Sequence, residues 1–192
     1  MSRPADDRPA TPRAVGAACE HGRMPSVRPA RLEELHVLQV IERRAGGSFR
    51  ALGMTAVADD DPASLEHLAS YQHAGRAWVA ENDGQIAGYL LVDVLASSAH
   101  VEQVSVDPAH AGLRIGQQLL EAAAEWARQQ GLAALTLTTF ALVPWNAPYY
   151  ARLGFTVLPA DEQSPQLRAT RKAEIERGLD AWPRVTMCRQ LG

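Results

Sequence analysis

The chain has 192 residues, of which 46% are hydrophobic, and it carries a formal net charge of −3. This length suits one α/β domain with a sizeable core. The negative balance argues against a general nucleic-acid binder, which has a strongly basic face. No apolar run is long enough to span a bilayer, and the first 25 residues lack the apolar core of a secretory signal. We therefore expect a cytoplasmic protein without a membrane or nucleic-acid partner.

Cysteine and histidine are too sparse and too scattered to suggest a disulfide framework or a metal centre. The two cysteines, Cys19 and Cys188, lie far apart in the sequence, so no structural disulfide is expected and a reducing compartment is the default. The six histidines include no pair at metal-ligand spacing. The sequence therefore predicts no metal site.

The N-terminal part of the chain divides into a tail and the start of a domain. Residues 1–25 are rich in Pro, Ala, Arg and Asp and have little apolar bulk, which predicts a flexible tail. Residues 26–192 are predicted to form a single domain, which begins with a short strand at 26–28. Apolar residues at helical spacing then predict a helix over about 31–44. A second short helix is expected from Pro62 to about residue 73, with Leu65 and Leu68 facing inward.

A turn signal at Asn82-Asp83-Gly84 separates two apolar runs, at 77–81 and 85–95. Asp-Gly in such a position is a strong signal for a β-hairpin. The second run is almost continuously apolar, which predicts a central strand covered on both faces. Residues 100–106 are expected to form the next strand, antiparallel to it.

The segment from Val101 to Gly131 indicates a strand, a loop with two glycines and a long amphipathic helix. Its inward stripe is predicted to consist of Ile115, Leu119, Ala122 and Trp126. Helix first turns normally collect Asp or Glu, yet no acidic residue occurs between Asp107 and Glu121. The loop therefore offers free backbone amides and a positive helix end, which is how an anion such as phosphate is bound. The alternative is an ordinary helix start with glycines in its loop.

The remaining elements complete a mixed sheet. Residues 133–139 follow the long helix and should form a strand parallel to 101–106, by a right-handed crossover. A short helix through Tyr149 and Tyr150, a strand at 155–158, a partial helix near 165–178 and a last strand at 184–189 follow. The predicted fold class is α+β in three layers: a mixed, mostly antiparallel sheet of six to seven strands with helices on both faces.

Two sequence blocks resemble the GNAT superfamily of acetyl-CoA-dependent N-acyltransferases. The first is V-S-V-D-P followed by A-G-L-R-I-G-Q-Q-L-L, similar to the family's strand and its Q/R-x-x-G-x-G/A loop. The second is N-A-P-Y-Y-A-R-L-G-F at 146–155, similar to the family's short helix ending in Tyr-x-x-x-Gly-Phe. This chain departs from the pattern twice: Ala111 stands where Gln or Arg is usual, and Arg114 stands where the middle Gly is usual.

The resemblance implies that acetyl-CoA is a co-substrate and enters where strands 101–106 and 133–139 separate. Its pantetheine arm would pair with the backbone of one strand, and the loop amides would hold the diphosphate. The implied cofactor-binding residues are Val104, Ser105, Val106, Ala111, Gly112, Leu113, Arg114, Ile115, Gly116, Gln117, Asn146 and Tyr150.

By the same resemblance, Tyr150 would be the general acid that protonates the departing thiolate, since a phenol is protonated at neutral pH. The alternative is a packed core tyrosine. Glu102 is the candidate base, because a carboxylate in a central strand is costly unless it has a role or a partner; the alternative is an ion pair with an arginine. Simple alternation places Glu102 on the face of Val104, unless a bulge redirects it. His100 is a weaker candidate base.

The predicted reaction is direct attack of a primary amine on the thioester in a ternary complex. The acceptor, a small-molecule amine or a peptide amine, is not specified. The three acids at 59–61 and Asp93 would favour a cationic amine, although adjacent acids in a loop are more often simply solvated. Trp145 and residues 160–182 are candidate walls of the acceptor pocket.

Two other functions stay open at this point. One is a non-catalytic acyl-CoA-binding or regulatory module with a degenerate loop, suggested by Ala111 and Arg114. A dinucleotide-binding protein is a weaker alternative, because the loop lacks G-x-G-x-x-G. The sequence also leaves a homodimer open.

Overall fold

The computed structural model describes residues 25–192, and seven strands in this part form one mixed sheet in the order β1-β2-β3-β4-β5-β7-β6. Neighbouring strands are antiparallel, except that β4 and β5 are parallel. The predicted mixed sheet is confirmed. The predicted tail at 1–25 lies outside the described residues, except for residue 25. The strands are β1 Ser26–Pro29, β2 Ala77–Asn82, β3 Gln85–Leu95, β4 Ser98–Val106, β5 Ala134–Phe140, β6 Thr156–Val157 and β7 Arg184–Gln190.

Six α-helices are found in the described residues, and short 3₁₀ turns connect several elements. The helices are α1 Leu35–Gly46, α2 Thr55–Ala58, α3 Leu65–His73, α4 Ile115–Gln129, α5 Ala147–Arg152 and α6 Pro165–Glu176. The 3₁₀ turns are Leu32–Glu34, Gly47–Leu52, Pro108–His110 and Leu179–Ala181.

The two faces of the sheet are covered by different helices. Helices α1 and α3 pack on one face, here called the α1 face, where Val79, Tyr89 and Leu91 are buried. Helices α4 and α5 pack on the other, the α4 face, which buries Leu90 and Leu137. Because side chains alternate along a strand, β3 supplies both cores, as its continuous apolar run predicted.

Local turn chemistry confirms the hairpin between β2 and β3. Asp83 and Gly84 both have positive φ, 50° and 75°, which is the backbone of a type I′ turn and suits the twist of the two strands. The long helix ends as expected, with Gly131 at φ 71° just beyond it.

Two packing predictions are wrong in detail. Leu65 does not face inward but is 48% exposed, because the helix begins at this residue and not at Pro62. Ser64 caps it by accepting from the His67 amide at 3.1 Å. In α4 the residues Ala122 and Trp126 are only partly buried. Small side chains let the helix approach the sheet with a broader face, whose fully buried members are Ile115, Leu119, Leu120, Ala123, Ala124 and Ala127.

Strands β4 and β5 separate part-way along their length. Their ladder joins only residues 98–101 to residues 134–137, so the predicted pairing with 101–106 is confirmed at Val101 alone. Beyond that point β4 stays with β3 and β5 stays with β7. The two strands therefore form a fork that opens toward their carboxyl ends.

A β-bulge marks the start of this fork. Val101 of β4 pairs with Val92, and Gln103 pairs with Leu91, so that Glu102 has no partner in β3. Such an extra residue changes which face the following side chains point to. Val101 and Val104 both pack at the core of the α4 face. The bulge therefore places Glu102 on the opposite, α1 face, and the expectation from simple alternation that it shares a face with Val104 is wrong.

Within residues 25–192, no group of three or more His, Cys, Asp or Glu is arranged to hold a metal ion. In the same range no helix is both long and apolar enough to cross a membrane. Cys188 is buried and free, and Cys19 lies outside the described residues.

Candidate active site

The unpaired side of β4 presents backbone groups to the fork. Asp107 N–H donates to Ala87 C=O at 2.8 Å. Because hydrogen bonds alternate along an antiparallel ladder, the peptide groups of Ser105 also face β3, and those of Val104 and Val106 face the fork. Of the three residues predicted to pair with an extended arm, Val104 and Val106 therefore offer free groups and Ser105 does not.

The loop before α4 keeps its amides free. Asp107, the acid closest to the loop in sequence, accepts from Ala109 N–H at 2.9 Å and pairs with Arg44 at 2.8 Å. Within residues 25–192, the amides from Gly112 to Gly116 have no hydrogen-bond acceptor. No side chain caps the helix start. This is the geometry that the missing acids predicted.

Arg114 adopts the conformation of the glycine that it replaces in the family pattern. Its φ is 57° and ψ is 23°, the left-handed region, which costs a non-glycine residue about 1 kcal/mol or more. Its guanidinium is exposed beside the free amides. Ile115 is fully buried and fixes the loop on the sheet.

Tyr150 lies on α5, at the α4 face, with its ring packed edge-to-face against Phe155 at 5.9 Å and Tyr149 at 5.5 Å. Burial raises the pKa of Tyr150, and the neighbouring Tyr149 adds to the shift. The phenol is therefore protonated at neutral pH. Its hydroxyl has no hydrogen-bond partner among residues 25–192, unlike a core tyrosine whose hydroxyl is satisfied. Its role as an acid stays a prediction.

Asn146 holds the start of α5. Its side-chain amide donates to Thr139 Oγ1 at 2.8 Å, and its carbonyl accepts from the backbone amides of Tyr149 and Tyr150 at 2.8 and 3.0 Å. These contacts tie the short helix to β5 and so orient Tyr150. A direct contact of Asn146 with a cofactor stays a prediction.

Glu102 projects from the bulge on the α1 face and is exposed, so the expectation of a buried carboxylate in a central strand is wrong. No arginine in residues 25–192 pairs with it, which argues against the ion-pair alternative. Although Glu102 contacts solvent, the surrounding protein partly desolvates its carboxylate and raises its pKa, and the charges of Asp93 and Glu174 add to the effect. The direction is the one a general base needs.

Asp93 and Glu174, the acids near Glu102, are each ion-paired with arginine. Asp93 pairs with Arg76 at 2.9 Å. Glu174 of α6 pairs with Arg184 at 2.9 Å and Arg171 at 2.6 Å. Glu102 is therefore the carboxylate of this group that has no cation.

His100 is poorly suited to be the base. It is 1% exposed, and its Nδ1 lies 3.0 Å from Thr136 Oγ1. Burial lowers the pKa of His100 to about 4, so the imidazole is neutral at physiological pH and enclosed by the sheet.

Sequence reasoning missed the polar network around Glu174. This carboxylate also accepts from the Thr138 hydroxyl, so that it joins α6 to β5 and β7. Two of its partners, Thr138 and Arg184, lie 36 and 10 residues away in the chain, and no local pattern links them to it. The helix itself was predicted, and the network shows that it lies over the α1 face of the fork.

The candidate wall residue Trp145 and the acids predicted to favour a cationic amine differ in their surroundings. Trp145 is 43% exposed and contacts Phe49 edge-to-face at 5.7 Å. Asp59 pairs with Arg50, and Asp60 lies 3.7 Å from Arg177. Both acids are exposed, which agrees with the solvated alternative.

A family model described as the acetyltransferase (GNAT) family matches residues 41–155. The chain belongs to this family. The match spans β4, the loop, α4 and α5, which are the elements that build the fork and its free amides. The class of reaction is therefore acetyl transfer.

Several solved structures share this fold. N-acetylglutamate synthase from Neisseria gonorrhoeae, complexed with coenzyme A and N-acetyl-glutamate, matches 88% of this chain at 18% identity and TM-score 0.68. This chain covers only 36% of that protein. Ribosomal-protein-S18-alanine N-acetyltransferase from Escherichia coli matches 88% at 19% identity and TM-score 0.60, over 95% of its own length. PaiA N-acetyltransferase from Thermoplasma acidophilum, in complex with coenzyme A, matches 86% of this chain at 16% identity and TM-score 0.64, and the match covers 98% of that protein.

Proposed function

We propose that this GNAT member transfers an acetyl group from acetyl-CoA to a primary amine, by direct attack in a ternary complex. The observation that carries the proposal is the fork between β4 and β5, which gives access to two different faces. On the α4 face lie the free loop amides and the Tyr150 hydroxyl. On the α1 face lies the Glu102 carboxylate, which has no cation among the described residues.

The hydrogen-bonding groups of this site suit acetyl-CoA. Amides at the start of α4, from Gly112 to Gly116, suit a diphosphate, and the unpaired peptide groups of Val104 and Val106 suit an amide-containing arm. The thioester supplies an activated acetyl carbonyl. The protein has to position it, remove a proton from the acceptor and donate one to the leaving sulfur.

The proposed reaction balances with two side chains. Glu102 accepts a proton from the acceptor ammonium, directly or through water, which frees the nitrogen lone pair. The amine then forms a C–N bond to the acetyl carbon while the C–S bond breaks. Tyr150 donates its proton to the sulfur, so that free thiol leaves. The new amide nitrogen then gives its second proton, through water, to the Tyr150 phenolate, and Glu102 releases its proton to solvent. The raised pKa of Glu102 suits a base at neutral pH, and Tyr150 carries its proton there.

A non-catalytic acyl-CoA-binding module is the second candidate. It is favoured by Ala111 and by Arg114, which replaces a glycine at a left-handed position. Such a module would bind acetyl-CoA without turnover. The free thiol released in the reaction therefore separates the two functions.

The test is a thiol-release assay with acetyl-CoA over a panel of polyamines, aminoglycosides, amino acids and peptides with free N-termini or lysines. The proposal expects release that depends on one class of amine. It also expects a loss of about 100-fold in kcat for Tyr150→Phe, the low end of general acid catalysis, with little change in KM for acetyl-CoA. Binding of acetyl-CoA without release for any acceptor would favour the module, and no binding would overturn both functions.

The nature of the acceptor, a small molecule or a peptide, follows from the same panel. A cytoplasmic location and a homodimer stay predictions, and sedimentation of the purified protein tests the second.

A further inference from the structure

Tyr149, the neighbour of Tyr150, reaches the first turn of α4. A Cβ atom built on Gly116 would lie 3.1 Å from the Tyr149 hydroxyl oxygen and 3.8 Å from its ring. The backbone amide of Gln117 also approaches this oxygen. The hydroxyl therefore lies at the edge of the free amides that begin at Gly112.

This contact gives Gly116 a specific reason to be glycine. Its φ is not in the left-handed region, so the backbone alone does not require glycine there. A side chain at this position would displace the Tyr149 hydroxyl from the helix start. The absence of a Cβ therefore makes room for the tyrosine as well as for a ligand.

The orientation of the hydroxyl leaves its proton available. Its oxygen faces an N–H donor, that of Gln117, and a phenol has one proton to donate as well as lone pairs to accept. Within residues 25–192, the hydroxyl has no acceptor for this proton. Arg152 stacks over the ring, with its guanidinium carbon 5.8 Å from the centroid, and it holds the side chain between α5 and α4.

We propose that Tyr149 is a binding residue for the diphosphate of CoA: its hydroxyl donates to a phosphate oxygen that the α4 amides also hold. The proposal rests on the proposed use of acetyl-CoA. It makes the two adjacent tyrosines act at opposite ends of the pantetheine arm, Tyr150 at the thioester and Tyr149 at the diphosphate.

The test compares two acetyl donors that differ in the diphosphate. Acetyl-CoA contains it, and S-acetylpantetheine lacks it together with the nucleotide. For Tyr149→Phe we expect the Kd for CoA, from calorimetry, to rise about tenfold, as for loss of a hydrogen bond to a charged group. The kcat/KM with acetyl-CoA should fall by the same factor, and kcat/KM with S-acetylpantetheine should stay within twofold.

Tyr150→Phe is the matched control, because it removes the same hydroxyl from the next residue and should reduce turnover with both donors alike. Gly116→Ala is a second variant, and it should weaken CoA without weakening S-acetylpantetheine. An unchanged Kd for CoA in folded Tyr149→Phe would overturn the inference, and so would an equal loss with both donors. A wild-type protein that binds no CoA would instead overturn the proposed function itself.

Discussion

Gly88 of β3 allows the start of α4 to lie close to the sheet. It is paired with Val106 of β4, and a Cβ atom there would lie 2.8 Å from the Ser105 carbonyl oxygen, 3.0 Å from Ile115 Cγ2 and 3.3 Å from Val106 Cγ2. The first of these is backbone and cannot rotate away. Gly88→Ala therefore has to move β4 or α4, the two elements on either side of the predicted diphosphate loop.

The size of the effect follows from two opposing terms. Overpacking of a close contact costs about 1–3 kcal/mol, and a fixed backbone oxygen puts this site toward the upper end. Replacing glycine by alanine stabilises the protein by about 0.5–1 kcal/mol, because it reduces the conformational entropy of the unfolded chain. The net loss is about 2 kcal/mol, which lowers Tm by about 4–8 °C for a domain of this size.

Thermal unfolding followed by circular dichroism measures this shift, and calorimetry with CoA measures the consequence for the loop. Gly47→Ala is the control: this residue has helical φ and ψ of −53° and −26°, and no atom lies within 4 Å of an added Cβ. It should be neutral or slightly stabilising. If Gly88→Ala melted within 1 °C of the wild type, the proposed close approach of α4 to β3 would be wrong.

Three further predictions concern charged residues. Glu174→Gln leaves the buried guanidinium of Arg184 without its anion and should cost about 3 kcal/mol in urea unfolding. Because ion pairing lowers the pKa of Glu174 against its burial, this contribution is complete above the unfolded pKa and disappears as the pH falls through the folded one; a loss under 1 kcal/mol in the variant would contradict it. Glu102→Gln should abolish the acid limb of the rate–pH profile, on which the rate rises as Glu102 loses its proton, and Asp93→Asn should move that limb to lower pH by removing a like charge. Arg114→Gly should be more stable than Arg114→Ala by about 1 kcal/mol, since glycine removes the left-handed strain; equal Tm values would argue against that strain.

The parts of the fold that depend on local chemistry were predictable. The Asp83-Gly84 turn, the cap at Gly131 and the free loop before α4 follow from neighbouring residues, and each was found where expected. The resemblance added the separation of β4 from β5 and the role proposed for Tyr150. The predicted hairpin and crossover then placed β4 beside β5.

The parts that depend on register were not predictable. The bulge that turns Glu102 to the α1 face exists because β4 has one residue more than β3 over the same length. No composition or period reveals this. The contact of Tyr149 with Gly116 likewise needs the docking of α5 on α4. The network of Glu174 joins segments that are far apart in the chain.

Because the fork is open on both faces of the sheet, the residues proposed to bind the donor and those proposed to bind the acceptor can change independently in evolution. Under the proposed function, the residues that bind the donor belong to α4, α5 and the loop between β4 and α4. The residues that would contact the acceptor belong to α3, α6 and the segments around α2. Insertions and substitutions in the second group can change which acceptor is modified, while the residues that bind the donor stay the same. Helix α6 is such a segment, held by the buried Leu167 and by the contacts of Glu174 with β5 and β7.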